Sequence, residues 1–207
     1  MFTKKPITPI CNLKVKDEGV KQEEQFCYLG GMLVKNGKCD VEIKRRIAIA
    51  KTTFNQLKHI LTNQHLKMTT KLKIIKCYVW SVLMYGCETW TISKAMEERI
   101  ESCEMWFLRR MLKISWTAKI KNEDVLQKAG VQRELLNTIK SRQLKFLGHI
   151  IRAEGIESLS LLGKIEGRRS RGRQRSTISG NAYRWFGNNI DCNDLFRKAK
   201  SRELWRT

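Results

Sequence analysis

Five arginines lie within eight consecutive positions towards the end of the chain, and none of those eight residues is acidic. Guanidinium groups at this density repel one another unless water, salt or a polyanion lies between them. The chemistry that this pattern favours is the binding of a polyanion. The five residues are Arg168, Arg169, Arg171, Arg173 and Arg175.

The whole chain shares this excess of positive charge. Its 207 residues include 41 Lys and Arg against 20 Asp and Glu, which gives a net charge of +21. A fold does not require such an excess, which costs self-repulsion, so a polyanionic partner is its usual explanation. Nucleic acid is the favoured partner, whereas an anionic membrane surface and a nuclear-localisation signal are the alternatives.

Groups that could catalyse a reaction are sparse. The chain has no metal-ligand spacing of histidines, no nucleophile elbow and no phosphate-binding loop. The carboxylate pairs Glu97-Glu98 and Glu123-Asp124 fall in the first turns of predicted helices, where acidic side chains stabilise the helix. We therefore predict no catalytic residue, no metal site and no cofactor, and we do not expect the chain to be an enzyme on its own.

Cysteine spacing and hydropathy restrict the setting of the protein. Seven cysteines form no CxxC pair and fit no zinc finger, so we interpret them as reduced thiols. The longest uncharged apolar stretch, residues 77–87, is about half as long as a bilayer span, and no apolar run follows the first residues. We expect a nuclear or cytoplasmic protein that is not secreted and has no membrane partner.

The elements that must position the basic residues begin with strands. Residues 10–34 alternate or are rich in aromatic and aliphatic side chains, which predicts a small β-hairpin. Gly30 and Gly31 indicate a bulge or a place where another backbone or a ligand comes close. Asn36-Gly37 then has the composition of a turn.

The rest of the pattern is helical, so the predicted fold class is mainly α. Apolar residues recur at helical spacing from Asp40, the predicted N-cap, to Leu61. Gly130 is the expected C-cap of a short helix, and residues 163–182 have loop composition. Further helices are predicted over 70–85, 94–114, 122–129, 133–153 and 194–205.

Several basic side chains lie off the predicted apolar faces and are candidates for phosphate contacts. Lys44, Arg45 and Lys51 do so on the first helix. Lys71 and Lys73 occupy the first turn of the second helix, where positive charge is unfavourable. They are either ordinary surface lysines or groups that phosphates neutralise.

The tryptophans fall into two groups. Trp185 and Trp205 lie in the basic C-terminal segment and could stack on bases or pack within that segment, and the sequence leaves both open. The others lie in or beside apolar helical faces and are interpreted as core residues. They are Trp80, Trp90, Trp106 and Trp116.

Several blocks together resemble the C-terminal part of non-LTR (LINE-type) retrotransposon reverse transcriptases, most closely the group with an apurinic-type endonuclease upstream. The resemblance covers roughly residues 26–206 and keeps the family's order of blocks. "YGCETW" and "RRMLKISW" are its specific signals. The blocks are "FCYLGGMLVKNGKCDVEIKRRIAIAKTTF", "VWSVLMYGCETWTISK", "MWFLRRMLKISW", "FLGHIIR", "GKIEGRRSRGRQR" and "AKSRELWR".

The resemblance implies a division of the chain and a role for each part. Residues 1–38 would form a palm-end hairpin with a primer grip that includes Tyr28, Gly30 and Gly31. Residues 39–118 would form a thumb-like helical bundle on the template–primer duplex. Residues 119–162 would be a helical linker, and 163–207 a basic, partly irregular segment that holds RNA or DNA.

The endonuclease, the fingers and the magnesium-binding palm aspartates of that family are absent from this chain. The resemblance therefore implies a nucleic-acid-binding fragment of an RNA-directed DNA polymerase that binds RNA, DNA or their hybrid and does not polymerise alone. A co-opted standalone RNA- or DNA-binding protein is one alternative. A protein-interaction module is another, in which the N-terminal strands self-associate; a monodisperse monomer at high concentration would argue against it.

Overall fold

The structure is a computed structural model that describes residues 13–16, 18–153, 155–161, 177–186 and 192–205. Within these ranges the chain is mainly α-helical, with short antiparallel β-hairpins at its N-terminal side, so the predicted fold class is confirmed. The five arginines of residues 168–175 lie outside the described residues.

The N-terminal strands pair locally. Two-residue strands β1 (Lys14–Val15) and β2 (Glu18–Gly19) form one hairpin. Strands β3 (Gln25–Tyr28) and β4 (Gly31–Val34) form the other.

The turn between β3 and β4 corrects the bulge predicted from the paired glycines. Tyr28 pairs with Gly31, so the connection has only two residues, Leu29 and Gly30. Both have positive φ, +47° and +76°, as a type I′ hairpin turn requires. Gly30 therefore helps to reverse the chain, whereas Gly31 is the first residue of β4.

The helices begin and end close to the predicted positions. The first begins at Asp40 itself, so Cys39 takes the N-cap position that we predicted for Asp40. The helix over 178–186 was missed, because its first half falls within residues 163–182, which have loop composition. The helices are α1 (Asp40–Gln56), α2 (Lys58–Leu61), α3 (Met68–Ile74), a π-helical segment (Ile75–Trp80), α4 (Ser81–Leu83), α5 (Lys94–Met111), α6 (Asn122–Ala129), α7 (Leu135–Ala153), α8 (Ile156–Leu161), α9 (Ile178–Phe186) and α10 (Cys192–Lys200), with 3₁₀ turns at Cys87–Thr89 and Trp116–Ala118.

The main hydrophobic core lies between α1, the rod from α3 to α4, α5, α6 and the first half of α7. Phe54 and Phe107 stack at its centre, with ring centroids 5.3 Å apart. The apolar face predicted for the first helix is buried as expected. Because Leu135 and Ile139 belong to the same core, this core continues past residue 118, across the boundary that the resemblance implied.

Acidic residues of α5 join it to other elements. The Glu104 carboxylate accepts hydrogen bonds of 3.0 Å from the backbone N–H groups of Glu134 and of Leu135, the first residue of α7. Burial raises the pKa of Glu104, although these bonds act in the opposite direction. Glu101 pairs with Arg133 at 2.8 Å. The charge pattern of this helix is thus structural, but through tertiary contacts and not only through the helix dipole.

A second, smaller core forms where the end of α7 meets α9 and α10. Leu147 and Ile151 pack there against Leu195 and Ala199. Gly148 lies beside the indole of Trp205, whose Nε1–H donates to the Leu144 carbonyl at 2.9 Å. The "FLGHIIR" and "AKSRELWR" blocks therefore meet at this point.

We expect the Gly148→Ala variant to be destabilised even though alanine favours helices. A Cβ at residue 148 would lie 2.7 Å from Cδ1 of Trp205, so the indole would have to leave its place. The expected loss is about 1–3 kcal/mol in the free energy of unfolding, measured by urea denaturation. The Gly148→Ala/Trp205→Ala double variant serves as control, because the alanine cost should largely disappear once the indole is gone.

Candidate nucleic-acid interface

A groove of about 1080 Å³ runs between α1 and α5, and basic side chains far outnumber acidic ones in its lining. On one side, Lys44, Lys51 and Lys58 recur every seven residues, which places them in one row along α1 and the start of α2. The opposite side is formed by α5 and the loop after it. Eight Lys and Arg but only two Glu line the groove, and the basic residues on the far side are Arg99, Arg109, Arg110, Lys113 and Arg133.

Trp106 forms the aromatic wall of this groove. The Lys51 Nζ lies 5.2 Å from the centroid of the indole ring and the Arg110 Cζ lies 4.2 Å from it. Phe54 and Phe107 meet the ring edge-on from the core side, at 5.3 and 5.4 Å. The half-buried indole thus joins the core to the basic surface and holds two of its cations in place.

Trp116 lies at the end of the groove and is 83% exposed. We predicted this tryptophan as a core residue, and that prediction is wrong. The helix stops at Met111, before the apolar pattern does, because Lys113 adopts a left-handed conformation and the Ile114 N–H bonds back to the Arg109 carbonyl at 2.8 Å. The loop that follows carries Trp116 away from the core.

The predicted phosphate-binding lysines divide between two places. Lys44 and Lys51 line the groove, whereas Lys73 is exposed on α3 outside its lining. Lys71 is only 6% exposed, so its side chain is not displayed for a phosphate contact as we had predicted. Burial, with a smaller contribution from the charge of Lys113, lowers the pKa of Lys71.

The Arg45 side chain binds other groups of the protein itself. Together with Arg46 it binds the Glu42 carboxylate, and both guanidinium groups donate to the Gly30 carbonyl. The Met32 N–H also donates to Glu42, at 3.0 Å. Burial alone would raise the pKa of Glu42, but these hydrogen bonds outweigh it and hold the pKa below its ordinary value.

The close approach predicted at Gly30 is made by side chains of this chain. The Tyr85 hydroxyl donates to the Leu29 carbonyl at 3.0 Å, and the Arg46 guanidinium lies 4.4 Å from the Tyr85 ring centroid. We call Glu42, Arg45, Arg46 and Tyr85 the hairpin clamp, because they fix the β3–β4 turn to the helices. Tyr28 and the rest of β3 remain exposed, and self-association through this strand stays a prediction.

The two C-terminal tryptophans pack within the protein. Trp185 Nε1–H donates to Glu97 at 3.1 Å, and Lys140 lies 5.5 Å from its ring centroid. Trp205 belongs to the second core, and its ring contacts that of Phe186. Of the two roles that the sequence left open, the structure shows packing for both.

Several groove residues that sequence reasoning missed lie at the end of α5 or just after it. Arg109, Arg110 and Lys113 line the groove, and the sequence pattern had given them no functional role. They are one and three residues apart in the sequence. Their position opposite a row of lysines on another helix becomes visible only when the helices are packed. Trp116 directly after a basic helix end was the one available signal.

Cys87 and Cys103 are the two buried thiols in the part of the chain that the structure describes. No group of three or more His, Cys, Asp or Glu side chains there could hold a metal ion. Burial raises the pKa of both Cys87 and Cys103 to about 12. No described helix combines the length and the apolar character needed to cross a membrane.

The chain is similar to a Caenorhabditis elegans protein described as an uncharacterized transposon-derived protein. The two are 29% identical over 133 residues, which make up 62% of this chain and 47% of that relative. The chain thus spans about half the length of the curated relative that it matches. No protein-family model and no solved structure matches the chain.

Proposed function

We propose that the chain is a transposon-related nucleic-acid-binding protein that holds the phosphate backbone in the groove between α1 and α5. The observation that carries the proposal is the groove itself, in which eight basic side chains, most of them from α1 and α5, line a concavity with a half-buried tryptophan. A fold has no need to collect like charges in a concavity, because they repel one another there more than on a convex surface. A polyanion removes that cost.

The origin of the chain belongs to the same proposal. The similarity to a transposon-derived protein supports a transposon-related origin. The resemblance of the blocks to LINE-type reverse transcriptases supports the finer assignment, in which α1 to α5 form the thumb that holds nucleic acid beside the polymerase. The role that we propose for this chain is to hold nucleic acid. Such a surface can bind RNA, DNA or the hybrid, because phosphate contacts position a backbone and do not read its sequence.

A salt titration of binding tests the groove. In the Lys44→Gln/Lys51→Gln/Lys58→Gln variant, we expect the slope of log K against log[salt] to become shallower by about 2 for single strands and about 3 for a duplex. The reason is that binding releases fewer counterions when phosphate contacts are lost. Fluorescence anisotropy with labelled oligonucleotides measures both slopes.

The matched control removes the same charge elsewhere. Lys94, Lys128 and Lys198 are exposed and lie outside the groove lining, and their change to Gln should leave the slope nearly unchanged. A variant with Gln at the five arginines of residues 168–175 measures the share of the C-terminal segment. Equal losses in the groove variant and the control would overturn the proposal, because binding would then follow net charge alone.

A further inference from the structure

The loop between α5 and α6 holds Trp116 outward, with 83% of the residue exposed. Arg109, buried at the end of α5, donates to the Ile120 carbonyl at 2.7 Å and to Asn122 Oδ1 at 3.0 Å. Ser115 caps the short turn by accepting from the Thr117 N–H. The loop is therefore closed at its base and ordered at its tip.

The backbone on both sides of Trp116 is strained. Lys113 and Lys119 have φ values of +56° and +49°, a region in which a residue with a Cβ costs about 1–2 kcal/mol. Such strain persists where the surrounding structure enforces it, and it is concentrated at functional sites. Here the strained residues define the segment that displays the indole.

The chemistry around Trp116 differs from that around Trp106. The ring of Trp106 already carries Lys51 and Arg110 and meets two phenylalanines. The ring of Trp116 has Arg109 at 5.5 Å from its centroid and is otherwise open. An open indole beside a row of cations has the two parts of a single-strand binding site, a track for phosphates and a platform for a base.

We propose that Trp116 stacks on an unpaired base, so that the groove takes a single-stranded segment of nucleic acid with its phosphates along the lysine row. A base inside a duplex has both faces covered by its neighbours, and only an unpaired or terminal base offers a face to an indole. The stacking role rests on the proposed function, since it needs the groove to bind the backbone. It adds a preference for single strands that the phosphate contacts alone do not give.

The test compares a single-stranded oligonucleotide with a closed-ended duplex, for the wild-type chain and for Trp116→Ala. We expect the variant to lose about 5- to 150-fold in affinity for the single strand and less than about 2-fold for the duplex. Trp116→Phe, which keeps a ring, should recover part of the loss. Tyr78→Ala removes an aromatic ring that is 60% exposed outside the groove lining and should change neither affinity.

Fluorescence provides a readout that a structural role would not change. Stacking quenches an indole, so the single strand should quench the emission of the wild-type chain more than that of Trp116→Phe. Equal losses for single strand and duplex in Trp116→Ala, or no loss for either, would overturn the stacking role. The groove proposal would survive that result, because its own failure appears separately as an unchanged salt slope in the lysine variant.

Discussion

The Glu42→Gln variant should unfold with a free energy about 3 kcal/mol or more below that of the wild-type chain. Glu42 is 5% exposed and binds two guanidinium groups and the Met32 N–H. Glutamine keeps the shape but loses the charge, which leaves the buried Arg46 without its counter-ion. Urea denaturation at neutral pH measures the difference.

The loss should depend on pH, and its sign follows from the pKa of Glu42. The folded state holds this pKa below the ordinary value of 4.5, so the carboxylate contributes stability above pH 4.5. That contribution is lost as the pH falls through the lowered value. The gap between wild-type and Glu42→Gln should therefore be full at pH 7 and should shrink below about pH 4.5.

The location of the damage distinguishes this explanation from general destabilisation. The hairpin clamp fixes the β3–β4 turn. Backbone amides of residues 25–34 should therefore exchange hydrogen faster in the variant than in the wild-type chain, whereas those of α5 should change less. Glu98→Gln changes an exposed carboxylate on α5 and is the matched control. Two results would argue against the clamp. One is a difference in unfolding free energy that did not change with pH, and the other is an equal acceleration of hydrogen exchange in all elements.

The Gln143→Leu variant is the second change with a large expected effect, about 2–4 kcal/mol in the free energy of unfolding. The fully buried Gln143 amide on α7 donates to the Cys87 carbonyl at 2.6 Å and to the Trp90 carbonyl at 2.9 Å. Leucine of similar size leaves the buried Trp90 carbonyl without this donor, and the Cys87 carbonyl keeps only the Trp90 N–H, at 3.2 Å. Gln127→Leu, on an exposed position of α6, is the control.

Replacing Gln143 with glutamate sharpens this test. A carboxylate would face two carbonyl oxygens, so Gln143→Glu should be less stable than Gln143→Leu at pH 7. Its stability should recover as the pH falls, because a protonated carboxyl can donate one of the two hydrogen bonds. If both variants were equally stable at every pH, the amide would not be what supports this turn.

These contacts explain why "YGCETW" is a specific block. Tyr85 reaches the hairpin turn, and Gly86 takes the left-handed conformation, with φ +69°, that ends the preceding rod. Cys87 and Trp90 are buried, and their carbonyls receive the Gln143 amide. The Tyr85 hydroxyl and the positive φ of Gly86 are the features of this block that depend most directly on residue type.

Sequence periodicity correctly predicted the structural features that depend on interactions between residues close in the chain. The apolar face of α1, the span of α6 and the left-handed C-cap at Gly130 follow from spacing and from single-residue preferences. The predictions for Lys71, Trp116 and α9 failed because packing decides them. Lys71 lies against neighbouring elements, and α9 is held by Arg184, which donates to the Ile92 carbonyl and to Glu97.

The candidate interface was predictable only in part for the same reason. Net charge and off-face lysines indicated a polyanion, and two of the predicted lysines line the groove. The opposite wall was hidden, because residues about 55 positions apart meet there only after α1 and α5 pack on Phe54 and Phe107.

The helix α7, shared between two cores, also sets an order of events during synthesis on the ribosome. Its first half can bury Leu135 and Ile139 against elements that are already made. Its second half presents Leu147 and Ile151, whose partners Leu195 and Ala199 are translated 48 residues later. At typical elongation rates this interval lasts on the order of 2–10 s. During that time the nascent chain carries a completed basic groove beside an uncovered apolar stripe, so chaperones have a defined period and a defined helix on which to act.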